Sequence, residues 1–247
     1  EQNRNYYTKH EADDTEIPLA ILVNESSASA SEIVSGSIQD FDRGVIVGQR
    51  TFGKGLVQNI LPMAYNTQMK VTVSKYYIPS KRCIQEIDYS KKAKNDTLAK
   101  NDTLGPQFKT ANGRIVYEGH GIQPDVKVEP EMLSTITAHL YAQNIIFKYA
   151  NKFYREHKKI ASPAEFDIKD QLEVLENELK SHKDNDLINN REEISEVLKV
   201  EIVARYYFQK GRIISTLKDD VELKRAVEIL LNTNGQNEYE NILKGTN

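Results

Sequence analysis

The fold is decided by a stretch that reads Asn24-Glu25-Ser26-Ser27-Ala28-Ser29-Ala30-Ser31-Glu32-Ile33-Val34. The apolar run at 18–23 precedes it and predicts a buried parallel strand. Small residues at 26–31 allow a close backbone approach. A helix is predicted over 32–41 from apolar residues at helical spacing, which are Ile33, Val34, Ile38 and Phe41. A strand, a tight polar turn and a helix can hold a serine hydroxyl at a helix N-terminus, where main-chain N–H groups and the positive end of the helix dipole lie.

A second block of sequence supplies a lysine. Val45-Ile46-Val47-Gly48 predicts another short strand, and Phe52-Gly53-Lys54-Gly55 puts the lysine between two glycines. A serine hydroxyl is a poor nucleophile unless a neighbour takes its proton, and a lysine amine is one recognised neighbour. We interpret Ser29 as a nucleophile, Lys54 as its base and the N–H of Ala30 as an oxyanion donor. The alternative for the lysine block is a bend with a solvated side chain.

These blocks resemble the C-terminal processing (tail-specific) protease family, through Ser27-Ala28-Ser29-Ala30-Ser31-Glu32-Ile33, Gln39-Asp40 and Thr51-Phe52-Gly53-Lys54-Gly55 with Val57-Gln58. The resemblance assigns the nucleophile to Ser29, the middle serine of its run, and the base to Lys54, twenty-five positions later. It also implies that Gln58 is the family's glutamine, which holds the lysine amine toward the serine. An aspartate implicated in the family falls on Asp40, in a possible supporting role.

Two further segments extend the resemblance over roughly residues 17–130. They are Tyr77-Ile78-Pro79-Ser80-Lys81-Arg82-Cys83-Ile84-Gln85 and Gly119-His120-Gly121-Ile122-Gln123-Pro124-Asp125. The sequence departs from the family at Lys81, Cys83 and His120. The resemblance implies an α/β fold, with a mixed β-sheet protease core and flanking helices, followed here by an all-α C-terminal region.

The family also implies a mechanism and partners. Its members cleave protein or peptide substrates through an acyl-enzyme, which needs neither metal nor cofactor. They carry an upstream PDZ module and N-terminal parts, with a glycine that supplies a second oxyanion donor. We therefore expect this chain to be the C-terminal part of a longer protease and to have little activity alone, since one lost donor costs about 3 kcal/mol. Family members are exported, usually to the bacterial periplasm.

Bulk properties exclude several functional classes. A net charge of −3 and a pI near 6.0 give no basic face for nucleic acid. No apolar run is long enough to cross a bilayer. Cys83 is the single cysteine, so an intrachain disulfide and a thiolate cluster are excluded. The five histidines, His10, His120, His139, His157 and His182, show no metal-ligand spacing.

Three alternatives to the Ser–Lys interpretation stay open. A Ser-His-Asp triad could use His120, although a loop histidine is the simpler interpretation of its glycine neighbours. A catalytically silent scaffold or peptide-binding module could keep the fold and bind strands or subunits. An acyl-transfer or crotonase-like enzyme on a related fold lacks a cofactor-binding signature.

The segment 56–128 is predicted to be mostly strands. Leu56–Leu61 and Met69–Tyr77 predict a hairpin with one buried face, and strands return at 114–117 and 126–128. Arg82 is expected to be a surface charge. A duplication, Ala93-Lys94-Asn95-Asp96-Thr97-Leu98 and Ala99-Lys100-Asn101-Asp102-Thr103-Leu104, predicts an inserted surface loop at 90–104. The glycosylation sequons at Asn95 and Asn101 are interpreted as coincidental.

Helical periodicity takes over at Glu131, which predicts two domains, 1–130 and 131–247. One helix is predicted over Met132–Lys158, and Ser162-Pro163-Ala164-Glu165 predicts the start of another, with Ile168, Leu172, Leu175 and Leu179 as its stripe. A linker is predicted at 184–190, a helix with Ile194, Val197, Leu198 and Ile202 continues to Tyr206, and a last helix covers 221–231. The helical region could also serve for oligomerisation.

Overall fold

The computed structural model describes residues 5–86, 105–168 and 185–246. These residues form two compact units. The first unit comprises the chain up to Glu129 together with the segment from Lys224 onward, and the second is Pro130–Leu223. The repeat at 93–104 and its sequons lie outside the described residues, as do Leu172, Leu175 and Leu179.

The first unit combines parallel and antiparallel strands with helices. Its elements are β1 (Ala20–Val23), α1 (Ala30–Asp40), β2 (Val45–Gly48), β3 (Leu56–Pro62), β4 (Gln68–Lys75), β5 (Gln107–Lys109), β6 (Ile115–Tyr117) and β7 (Val126–Lys127). The second unit contains α2 (Thr135–Ala142), α3 (Ile145–Glu156), α4 (Asn185–Asn189) and α5 (Arg191–Thr216). Two more helices follow, α6 (Val221–Leu230) and α7 (Glu238–Lys244). The predicted mixed α/β core followed by a helical region is confirmed.

A three-stranded parallel sheet in the order β1-β2-β7 forms the centre of the first unit. All of β2 is buried, and its side chains alternate between two clusters. Ile46 packs with Val23, Ile78, Ile84 and Ile122. Val45 and Val47 pack with Ala226, Ile229 and Ile242. A strand that is apolar on both faces needs cover on both sides, which explains its continuous apolar run.

The helices α6 and α7 supply the cover on one side of the core sheet. Ala226 and Ile229 lie on α6, and Ile242 lies on α7. The hydroxyl of Tyr239 on α7 also accepts a hydrogen bond from the N–H of Leu19 at 3.1 Å. The end of the chain thus packs with the first unit, whereas the sequence prediction grouped all of 131–247 together.

The buried face of α1 differs from the apolar stripe in its sequence. The residues that α1 buries are Glu32, Ser35, Gly36, Gln39 and Asp40. Phe41 and Val34 are 64% and 58% exposed. The apolar residues at helical spacing therefore do not form the inward face, where a buried carboxylate and a polar network lie instead. Gly36 allows close packing on this face, since an added Cβ would lie 2.7 and 2.8 Å from the terminal methyl groups of Ile122 and Ile78, which would have to shift.

The predicted hairpin forms, but without a buried face. β3 and β4 pair antiparallel, with a bulge between Val57 and Gln58. Ile60 and Val73 are 61% and 52% exposed. The expectation of one buried face is wrong, since within the described residues the hairpin is a two-stranded sheet with no third strand beside it.

The second unit has its own apolar core, to which α2, α3, α4 and α5 contribute. The predicted stripe on α5 is confirmed, with Ile194, Leu198 and Ile202 buried. The predicted helix 132–158 is instead two helices, because Asn144 adopts φ 57° between them. A turn replaces the predicted helix start at 162–165, and the predicted linker at 184–190 contains α4.

None of the helices described here is both long enough and apolar enough to span a membrane.

Candidate active site

Ser29 occupies a sharp turn between β1 and α1. It is the N-cap of α1 and adopts φ 58° and ψ −114°. Such a backbone is rare for a residue with a Cβ and persists only where its surroundings hold it. The side chain is partly buried. The turn therefore presents a serine at a helix N-terminus, as the sequence predicts, and adds backbone strain.

The carboxylate of Glu32 joins the Ser29 turn to the Lys54 segment. Its Oε2 accepts hydrogen bonds from the main-chain N–H groups of Ser29 and Lys54, each at 2.8 Å. Its Oε1 accepts from the Thr51 hydroxyl and the Gly53 N–H, each at 2.6 Å. Glu32 is completely buried. A buried carboxylate is stable only when hydrogen bonds of this kind replace its water.

These contacts bring together two residues that lie twenty-five positions apart. One oxygen holds both backbones, so their nitrogen atoms lie within twice 2.8 Å of each other. The Phe52 N–H also donates to the Ser27 carbonyl at 3.0 Å. The Lys54 side chain is exposed, and within the described part of the chain it forms no ion pair.

The hydroxyl of Tyr76 contacts the same two segments. It donates to the main-chain carbonyl of Lys54 and lies 3.4 Å from that of Ser29. Burial raises the pKa of Tyr76 to about 12, and the nearby Glu32 charge acts in the same direction, while a hydrogen bond with the Ser29 side chain acts against them. The phenol is therefore a donor at neutral pH.

Two further residues, Gln58 and Ala30, are predicted to assist the Ser–Lys dyad. Gln58 follows the bulge in β3, and its amide donates to the hydroxyl of Thr72 at 3.3 Å and not to Lys54. Ala30 is the first residue of α1. Its N–H has no acceptor among the described residues, as expected for the first turn of a helix.

Asp40 lies in a buried ion pair. Its carboxylate is 3.0 Å from Nη2 of Arg82, and its Oδ2 accepts the Ser80 N–H at 2.9 Å. Arg82 is 1% exposed, so the expectation of a surface charge is wrong. The guanidinium is compensated by Asp40 and by Gln39, whose side-chain oxygen accepts from Nη2 at 2.8 Å. Burial lowers the pKa of Arg82, and Asp40 and Asp125 offset part of that effect.

The ion pair belongs to a larger polar network. Gln39 donates to Asp125 at 2.9 Å, and Arg114 reaches Asp125 at 2.5 Å and Asp42 at 2.6 Å. The other oxygen of Asp125 accepts the Ile46 N–H at 2.8 Å. The network thus joins the three sequence motifs that contain Asp40, Arg82 and Asp125, and it fixes α1 against the core sheet.

His120 lies between two glycines of positive φ, 91° and 64°. The Gly121 N–H donates to Ile84 O at 3.0 Å, so the segment runs beside 83–85. Over the ranges that the structure describes, no group of histidine, cysteine or acidic side chains could hold a metal ion.

The sequence argument missed Glu32 and Tyr76. A signal for the first was present, since Ser29-Ala30-Ser31-Glu32 has the spacing of a capping box, with a glutamate three residues after the N-cap. Its bonds to the Lys54 segment had no local signal. Tyr76 had none either, because a tyrosine in an alternating strand pattern predicts only a strand position.

Comparisons with known proteins find two family matches in this chain. Residues 1–92 match peptidase family S41. Residues 136–172 and 167–230 match a family described as "Probable PDZ-protease, C-terminal helical domain".

Curated relatives are similar to part of this chain. A carboxy-terminal-processing protease of Bartonella bacilliformis is 49% identical over 72 residues, which are 29% of this chain and 17% of the relative. The chloroplastic C-terminal processing peptidase of Tetradesmus obliquus is 33% identical over 122 residues, 49% of this chain and 19% of the relative. The chloroplastic carboxyl-terminal-processing peptidase 3 of Arabidopsis thaliana is 50% identical over 74 residues, which are 30% of this chain and 14% of the relative.

A solved structure, the photosystem II D1 C-terminal processing protease, is 32% identical, with 48% of this chain and 22% of that one covered and a TM-score of 0.30. The chain spans less than a fifth of the length of the three curated relatives. Residues 1–92 are therefore similar to peptidase family S41, and C-terminal processing proteases are homologues of part of this chain.

Proposed function

We propose that the full-length protein is a serine endopeptidase of the C-terminal processing type, which cleaves polypeptides near their C-termini. The observation that supports this most directly is the acceptor shared by Ser29 and Lys54 on Glu32. It puts an alcohol and an amine on adjacent backbone segments, as a Ser–Lys dyad requires. The strained backbone of Ser29 is a second support, since such outliers cluster at functional sites.

In the proposed mechanism, Ser29 Oγ attacks the scissile carbonyl carbon while Lys54 Nζ takes the hydroxyl proton. The carbonyl electron pair becomes an oxyanion, which the Ala30 N–H stabilises. The tetrahedral intermediate breaks its C–N bond, and the leaving amine takes the proton from Lys54. Water then attacks the acyl-enzyme, Lys54 accepts the water proton and returns it to Ser29, and the new carboxyl terminus leaves.

Gln58 is proposed to orient the amine of Lys54. Its amide bonds Thr72 in this structure, so the role requires the side chain to turn toward the lysine. Hydrogen bonds of a catalytic site often tighten only when substrate is bound. Asp40 is proposed to support the site indirectly, through its ion pair with Arg82.

The proposed substrates, partners and location are those suggested by the relatives. We propose that the protein acts on protein or peptide substrates together with PDZ and N-terminal parts of its own full-length chain. Homologues occur in bacteria and chloroplasts, which fits an exported, periplasmic location. The helical region is proposed to contribute to oligomerisation.

The test is hydrolysis of an unstructured protein by the full-length protein and its variants. Ser29→Ala and Lys54→Ala should each lower kcat by about a thousandfold or more, as losses of acting catalytic groups do. Ser31→Ala is the matched control, since this exposed serine lies two positions away and should leave the rate unchanged. Equal loss in Ser29→Ala and Ser31→Ala would contradict the assignment of the nucleophile.

Two further measurements separate the alternatives. A histidine base such as His120 gives a limb near pH 6.5 in the pH–rate profile, whereas a lysine base moves this limb upward. A serine-directed probe should label Ser29. A folded protein that is neither labelled nor active would be a scaffold, and the protease proposal would fail.

A further inference from the structure

Both main-chain polar groups of Lys54 are held by side chains. Lys54 lies in the segment 51–55 between β2 and β3, which has no regular secondary structure. Its N–H donates to Glu32, and its carbonyl accepts from the hydroxyl of Tyr76. Peptide groups outside a helix or sheet need partners of this kind to be fixed in place. The position from which the lysine side chain starts therefore depends on one carboxylate and one phenol.

Tyr76 is itself fixed at three points. Its own N–H donates to the carbonyl of Gly55 at 3.1 Å, so its backbone is tied to the residue after the lysine. Its ring packs against the buried cluster that contains Ile46 and Ile78. Its hydroxyl lies between the carbonyls of Lys54 and Ser29. A side chain anchored at backbone, ring and hydroxyl is a rigid connection between the two segments.

We propose that Tyr76 is a positioning residue of the Ser–Lys pair: its hydroxyl holds the Lys54 main chain against the Ser29 turn. This inference rests on the proposed protease function. A displacement of about 1 Å at a reacting group can cost two orders of magnitude in rate, so a lost anchor on the lysine backbone acts on the chemical step. Substrate binding is left unchanged, since the phenol faces main-chain carbonyls of the protein.

The variant Tyr76→Phe removes only the hydroxyl. The matched control is Tyr77→Phe, because Tyr77 is adjacent in sequence and 61% exposed. Both are made in the full-length protein, with thermal unfolding to establish that they fold. The concentration of active enzyme is determined by titration with a serine-directed probe. A loss of folded protein then does not lower the measured kcat.

Two readouts are measured. Hydrogen–deuterium exchange of the amides at 53–55 should become about fivefold faster in Tyr76→Phe, as loss of a hydrogen bond worth about 1 kcal/mol gives. The same variant should lower kcat about tenfold to a hundredfold with KM within about twofold of wild type. Tyr77→Phe should match wild type in both.

The outcomes separate this inference from the proposed function. Unchanged exchange at 53–55 overturns the anchoring role, whatever the activity. Faster exchange with unchanged kcat overturns the role in positioning, as does a loss confined to KM. Absence of any Ser29-dependent hydrolysis in the wild type overturns the protease function and, with it, the catalytic part of the inference. Restoration of kcat by a hydroxyl-bearing residue, in Tyr76→Ser, would contradict the need for a rigid ring.

Discussion

Ser29 and Lys54 donate their main-chain N–H groups to a single oxygen of Glu32, each at 2.8 Å. The two residues belong to separate βα and ββ connections, so no local rule brings them together. The carboxylate does so by replacing water with four protein donors while it is completely buried.

Glu32→Gln should damage both stability and activity. The amide that replaces one carboxylate oxygen is a donor and leaves two of four buried donors without an acceptor, which should cost about 3 kcal/mol. In urea unfolding the midpoint should fall, and kcat should fall about a hundredfold because both segments shift. The control is Glu129→Gln, in an exposed pair with Lys127. A stable variant with normal kcat would refute the role of Glu32.

Asp40→Asn tests whether the aspartate acts on the reaction or on the fold. Removing one partner of the buried pair with Arg82 should lower the free energy of unfolding by about 3–5 kcal/mol. Arg50→Ala is the control, since it breaks an exposed pair with Glu86 and should cost about 1 kcal/mol or less. A large loss of kcat in Asp40→Asn with unchanged stability would instead make Asp40 part of the chemistry.

Gly53→Ala tests the close packing before the lysine. Gly53 has φ 83°, and a Cβ there would lie 2.8 Å from Cβ of Glu86. Gly113 has nearly the same φ, 88°, with nothing within 4 Å of the added Cβ. Gly113→Ala should therefore lower the free energy of unfolding by only about 1 kcal/mol, the cost of placing a Cβ on a backbone of positive φ. Gly53→Ala should lower it by about 2–4 kcal/mol, because the steric contact adds to that cost. Equal losses in urea unfolding would show that the segment yields without strain.

The stability of the first unit should depend on the ionisation of Tyr76 at high pH. Its pKa is raised from 10.0 to about 12 by burial, with Glu32 and Cys83 adding to the effect and Ser29 opposing it. The unfolded chain therefore releases the proton first. The stabilisation that the protonated Tyr76 hydroxyl contributes is fully present below about pH 10 and is lost as the pH rises through about 12.

This dependence is measured by urea unfolding across that pH range. Tyr76→Phe should show a shallower decline than the wild type, because it lacks the titrating hydroxyl. A direct check is the titration of the Tyr76 ring resonance by NMR. A pKa near the ordinary value of about 10 would contradict a partly buried, hydrogen-bonded phenol at Tyr76.

The sequence predicted the local elements of the site well. The apolar runs before Ser29 and around Ile46 both formed parallel strands. The strand around Ile46 is covered on both faces, as a continuous apolar run predicts, whereas the strand before Ser29 lies at the sheet edge and leaves Leu22 41% exposed. The helical spacing of Val34 and Phe41 did not identify the inward face of α1, since both side chains are exposed. Periodicity indicates which side chains prefer burial, but a buried polar network can occupy that face when most of its groups are hydrogen-bonded or ion-paired.

Arg82 shows the same limit. A single sequence assigns an arginine to the surface, since burial of an unpaired charge is costly. Its partners, Asp40 and Gln39, are over forty positions away, and only the folded chain brings them within 3.0 Å. The end of the chain is a further case, since α6 and α7 pack with β2 although nothing in their own stripes identifies that strand.

What the sequence determined by itself is the resemblance to C-terminal processing proteases, the strand–turn–helix around Ser29 and the residues that could form a dyad, because these depend on short motifs and local periodicity. Only the tertiary structure decided which groups meet. Glu32 joins the serine and lysine segments, Tyr76 anchors the lysine, and Asp40 turns to Arg82. The physical reason is that buried polar groups take their partners from distant parts of the chain, and no local pattern records that pairing.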